Sequence, residues 1–174
     1  MENIMYKPVS LIIAILLVII NFGTQNNIAN IANICENNFL NSIFRNFYHV
    51  NTAHLIINLF SFYVLSEVEI LIGSGQYIIL LLTILLISSI LDFIITLLFP
   101  NITCSIGFSG ILFGLLAWEM MALHNFNFFV LMLLIFNVIT PTMINPRASL
   151  IGHSIGAFSG VIAFFFFTLS SKNN

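Results

Sequence analysis

Residues 150–167 read LIGHSIGAFSGVIAFFFF. A single polar ring, His153, stands near the head of an otherwise apolar run, and Gly152, Gly156 and Gly160 recur at every fourth position. That spacing puts the three glycines on one side of a helix. Small residues at this spacing let two membrane helices approach unusually closely. A second stretch has the same character: residues 107–123 read GFSGILFGLLAWEMMAL, with Ser109 at the head and Gly110 and Gly114 four apart. Two such stretches specify a fold of closely packed apolar helices. Lipid offers a polar side chain no partner, so Ser109 and His153 should face protein rather than bilayer.

Composition points the same way. The chain has 174 residues, of which 60% are hydrophobic and 6% charged, with a mean hydropathy of +1.11. A soluble domain carries about 25% charged residues, so this chain cannot clothe a water-facing surface and reads as a polytopic all-α membrane protein. The net charge of -2, with four Lys and Arg in all, excludes a nucleic-acid binder and a polybasic lipid-binding patch. Cys35 and Cys104 show neither a metal-ligand spacing nor a disulfide framework. Although both fall on one side of the membrane, the sparse pattern gives no expectation of a disulfide.

A membrane span needs about 20 mostly apolar residues, fewer where protein shields it. Six are read here, at residues 8–22, 52–72, 76–99, 105–123, 126–140 and 148–169, in a single membrane domain covering 1–174. The first is a retained helix rather than a cleaved signal, because Asn21-Phe22-Gly23-Thr24-Gln25 offers no small-x-small cleavage site. Pro100 stops the third span and Pro141 the fifth. Residues 23–51 form a polar connection in which Phe39, Leu40, Ile43, Phe44 and Phe47 fall at helical spacing, as in an interfacial helix. Lys7 and Lys172 flank the termini, while Arg45 and Arg147 lie in the first and last loops. The positive-inside count is thus two against two, and charge alone does not orient the chain.

The chemistry follows from the polar exceptions. A serine and a histidine are the minimum for a base-activated nucleophile. Ser109 opens its helix between Gly107 and Gly110, where free N–H groups and the positive dipole end are the donors an oxyanion needs. If the glycine faces of the fourth and sixth spans meet, His153 comes within reach of Ser109. The structural alternative for each residue is a small-residue helix contact. His54 and Asn58 are four apart, on one face of the second span, and both can donate hydrogen bonds. They suit either oxyanion stabilisation or a polar contact that joins helices. His49 reads as a loop-structuring residue. No carboxylate is placed as a third triad member: Glu119 lies about 15 Å of helix beyond Ser109. Asp92 has no assigned role, and is either protonated, bonded to a neighbour, or nearer an interface than its position in the span suggests.

In this order the residues resemble the rhomboid family of intramembrane serine proteases, over about residues 44–160. Phe44-Arg45 looks like the family's first-loop aromatic-Arg pair. His49-x4-His54-x3-Asn58 looks like its second-helix motif, and Glu69 with Gly73-Ser74-Gly75 like the close of that helix. Gly107-Phe108-Ser109-Gly110 resembles the nucleophile motif, and His153-x2-Gly156-x3-Gly160 the sixth-helix motif. The resemblance implies a six-helix rhomboid-like bundle with a cavity open to the extracytoplasmic side and both termini cytoplasmic. It implies a serine endopeptidase with Ser109 as nucleophile and His153 as general base. The oxyanion would be held by the Ser109 backbone N–H, His54 and Asn58, and Gly107, Gly110, Gly114, Gly156 and Gly160 would pack the site. The implied partners are the lipid bilayer and transmembrane protein substrates, in the cell membrane, with no cofactor and no metal. Two departures stand out. Phe113 occupies a position where many relatives carry Tyr, and Gly152 one where Ala is usual. Two other readings compete: a catalytically inactive relative that binds transmembrane clients, and a small transporter or channel. The second predicts inverted repeats or paired broken helices, and the sequence has neither.

Overall fold

The computed structural model describes residues 7–25, 31–102, 104–123, 127–144 and 148–171. Arg147 and Lys172, which enter the charge count, lie outside them. The chain forms α1 (Pro8–Gln25), α2 (Ile31–Ile34), α3 (Phe39–Phe44), α4 (Thr52–Leu65), α5 (Glu67–Ile72), α6 (Ser74–Leu98), α7 (Ser109–Leu123), α8 (Phe128–Ile144) and α9 (Leu150–Ser171). Among the described residues, three helical stretches are long and apolar enough to cross a membrane: Thr52–Ile72, Ser74–Leu98 and Leu150–Phe167. Shorter apolar helices at Pro8–Gly23, Ser109–Leu123 and Phe128–Ile144 complete an all-α bundle.

Local chemistry sets the helix starts. The Asn51 side chain accepts from the His54 N–H at 2.8 Å, Asn127 from Val130 at 3.0 Å, and the Ser149 hydroxyl from Gly152 at 3.0 Å. These are first-turn amides with no partner inside their own helix. Gly73, at φ +80°, makes the sharp break between α5 and α6. Two expected boundaries shift. Helix α7 begins at Ser109 rather than at 105, because 104–108 is irregular backbone. Helix α8 runs through Pro141 to Ile144 instead of stopping there. Helices in apolar surroundings tolerate an internal proline better than helices in water. In the turns before it, Thr140 donates to the Phe136 carbonyl at 2.6 Å and Asn137 to that of Leu133 at 2.8 Å; the carbonyl that Pro141 leaves without its usual donor is that of Asn137.

The bundle closes around Phe62, Tyr77, Leu80, Ile84, Phe108, Leu115 and Trp118, all buried, while Phe60, Tyr63, Phe128 and Phe166 are exposed on its outer face. Polar ties gather at its two ends. At one end, Glu69 accepts from the Val9 and Ser10 amides, the Ser10 hydroxyl and the Ser74 hydroxyl, at 2.7–3.0 Å. Beside it, Lys7 pairs with Glu67 at 2.5 Å. At the other end, residues 33–47 cover the last turns of α6. Phe39 packs on Phe93 with ring centroids 6.0 Å apart, Thr96 bonds Asn37 at 3.2 Å, and Arg45 forms an ion pair with Asp92. The role left open for Asp92 is thereby filled: it is bonded to a neighbour under the first loop. Cys35 and Cys104 form a disulfide at this same end, against the expectation of none. Sequence spacing could not show it, because the pairing depends on how the first loop folds over α6.

Candidate active site

The residues singled out by chemistry converge at the end that carries the first loop. Ser109 is the first residue of α7 and is half-buried. His153 lies in the first turn of α9 and is buried. His54 is in the first turn of α4, and Asn58, one turn on, is 3% exposed. Helix starts from three separate parts of the chain thus meet at one level.

Glycine sets the spacing between α7 and α9, which form the most extensive helix pair of the bundle. A Cβ on Gly156 would lie 2.6 Å from the carbonyl carbon of Gly110 and closer still to its oxygen. One on Gly160 would meet the Gly114 carbonyl carbon at 2.7 Å. The two glycine faces therefore touch backbone to backbone, in a register that sets His153 beside the head of α7. The His153 ring rests on Phe113 with centroids 4.4 Å apart and planes tilted by 36°. Phe113 keeps the ring contact and lacks the hydroxyl that Tyr would bring.

The approach to Ser109 is equally constrained. Gly107 has φ +127°, a conformation that L side chains rarely adopt, and its N–H donates to the Arg45 carbonyl at 3.0 Å. The His54 imidazole packs where a Gly107 side chain would be: a Cβ there would sit 2.6 Å from Cε1 and 3.0 Å from Nε2. Asn58 commits one N–H to the His54 carbonyl at 2.8 Å, leaving the second for another acceptor. His49 is 1% exposed, with its ring 5.2 Å from that of His54. Burial, helped by the neighbouring His54, pushes its pKa down to about 4, so it is neutral at pH 7.

Two groups escaped sequence reasoning. Ser105 and Ser149 share a 2.5 Å hydrogen bond that ties the loop before α7 to the start of α9. A Cβ on Gly152 would press on Ser105 Oγ at 2.7 Å, so glycine at this position makes room for the pair. Ser149 caps the start of α9, and its partner Ser105 lies 44 residues away, a distance over which no local pattern reads. No hydrogen bond joins the Ser109 hydroxyl to His153 among the described residues. Such bonds are often long before substrate binds and tighten in the complex.

The order of these residues, on helices packed through this glycine seam, matches one family throughout. The Rhomboid domain family model fits residues 36–170. This chain belongs to the rhomboid family. It is 31% identical over 164 residues to a protein of Acanthamoeba polyphaga mimivirus that bears a rhomboid-protein name, a match covering 94% of this chain and 92% of that one. As a rhomboid it is an integral membrane protein, and its apolar outer face is built for a bilayer.

Proposed function

We propose that this rhomboid is an intramembrane serine endopeptidase that cleaves transmembrane segments of other membrane proteins with a Ser109–His153 dyad. The observation that carries the reading is the glycine seam, which brings His153 of α9 to the head of α7 where Ser109 stands. His153 takes the hydroxyl proton as Ser109 attacks the scissile carbonyl, then returns it to the leaving amine. The Ser109 N–H, in the free first turn of α7, and side-chain donors from His54 and Asn58 stabilise the oxyanion. Substrate must unwind locally, because a helix hides its carbonyls in hydrogen bonds. The whole chain acts as one membrane domain, with α1, α4 with α5, α6, α7, α8 and α9 as its six spans. The end that carries Ser109 and the Cys35–Cys104 disulfide faces the oxidising, extracytoplasmic side, since disulfides persist there. Both termini are then cytoplasmic, in the cell membrane.

The test is labelling of purified protein by a fluorophosphonate serine probe, together with cleavage of a transmembrane reporter. Wild type should label and cleave, while Ser109→Ala and His153→Ala should each lose nearly all activity, because the pair acts as one unit. Failure of wild type to label, while it still binds the reporter, would establish an inactive client-binding rhomboid instead.

A further inference from the structure

Segment 104–108, which delivers Ser109 to the site, has no regular secondary structure, so its position rests on a few ties. Two of them meet at Arg45. This residue is 2% exposed, and its carbonyl accepts the Gly107 N–H at 3.0 Å. Its guanidinium donates to the Ser42 hydroxyl at 2.7 Å, pairs with Asp92 of α6, and lies 3.6 Å from the Cys104 sulfur. That sulfur is bonded to Cys35, 69 residues earlier, in the first loop. Asp92 fixes the guanidinium, Arg45 fixes the Gly107 peptide, and the disulfide fixes the start of the same segment. Gly107 in turn is the surface on which His54 packs.

We propose that Asp92 and the Cys35–Cys104 disulfide are positioning groups for the nucleophile loop, so that turnover by Ser109 falls when the disulfide is reduced. The inference rests on the proteolytic reading of Ser109. In the reduction, the sulfur–sulfur bond breaks and each cysteine takes one electron and one proton. A dithiol such as dithiothreitol supplies both electrons and both protons and closes to its own cyclic disulfide. Neither Asp92 nor either cysteine needs to touch substrate. A displacement of about 1 Å at a reacting group can cost about 10²-fold in rate, and the clamped residues, Gly107 and Cys104, lie two and five residues from Ser109.

The experiment uses the full chain in detergent, with and without dithiothreitol, and confirms reduction by the mass shift on alkylation. Reduction should lower kcat about tenfold or more while KM stays within about twofold. It should also speed hydrogen exchange in peptides covering 104–109, with the protein still folded at the assay temperature. Reoxidation should restore both. The double variant Cys35→Ser with Cys104→Ser should match the reduced enzyme and ignore dithiothreitol; should it not fold, reduction of wild type gives the same comparison. Asp92→Asn should lower kcat, with Asp92→Glu keeping most of it. Unchanged kcat and unchanged exchange after verified reduction would overturn the proposal, as would a loss of kcat that merely follows global unfolding. If oxidised wild type neither labels nor cleaves, the proteolytic reading fails by itself. Exchange at 104–109 then decides the clamp: faster on reduction supports it, unchanged overturns it.

Discussion

Gly156 packs directly on the backbone of Gly110, and one turn on, Gly160 does the same to Gly114. No side chain stands between the helices at either contact. Whatever separation α7 and α9 need at the Ser109–His153 level is therefore set by four residues that carry no chemistry.

Gly160→Ala tests this. In an isolated helix, alanine is more favourable than glycine by about 1 kcal/mol. Overpacking costs about 1–3 kcal/mol, and here the obstacle is the Gly114 backbone, which cannot rotate aside as a side chain could. The clash should win: the variant should melt below wild type and lose most reporter cleavage, though position 160 is two turns from His153. Gly75→Ala is the control, since a Cβ there meets nothing within 4 Å, and it should melt at or above wild type. A Gly160→Ala protein as stable and active as wild type would show that the seam has slack.

Phe113 holds the His153 ring through one face. Aromatic contacts of this kind contribute about 0.5–1.5 kcal/mol beyond burial, so Phe113→Leu should slow cleavage about 2- to 12-fold by letting the imidazole turn. Phe113→Tyr keeps the stack and should stay near wild-type rate. Steady-state cleavage of the reporter by both variants, with melting curves to check folding, decides it. Equal rates for Phe113→Leu and wild type would mean that the ring is held elsewhere.

His49 gives the fold an acid sensitivity whose sign can be worked out. Its folded pKa is about 4, against 6.5 for the free group. Between those values the unfolded chain binds a proton that the folded chain refuses, so stability rises with pH there. The contribution is fully present above about pH 6.5 and is lost as pH falls toward 4. His49→Phe, neutral at every pH, should therefore show a smaller drop in melting temperature between pH 7.5 and 4.5 than wild type. The same drop in both proteins would place the acid sensitivity in other groups.

How much of this was legible depended on how far apart the interacting residues lie. The glycine faces of α7 and α9, and the His54–Asn58 pair, could be read because helical periodicity turns spacing directly into a shared face. Arg45 was visible as half of a motif, but its partner Asp92 belongs to another helix and is reached only through the fold of residues 33–47. The Cys35–Cys104 bond was missed for the same reason. The path of a loop has no period, so no spacing predicts what it covers. Pro141 misled in a different way: in water it is a reliable helix stop, whereas a helix in an apolar bundle accommodates it and α8 continues to Ile144.

Glu69 also imposes an order on assembly. It accepts the first-turn amides of α1 from about 60 residues downstream and is itself joined by Ser74 at the head of α6. A nascent chain that has made only α1 has no internal partner for those amides, and none arrives until the ribosome has passed Glu69 and Ser74. Helix α1 is thus fastened only once α4 and α5 have been made, and until then the amides at its head must wait in the membrane for a carboxylate about 60 residues downstream.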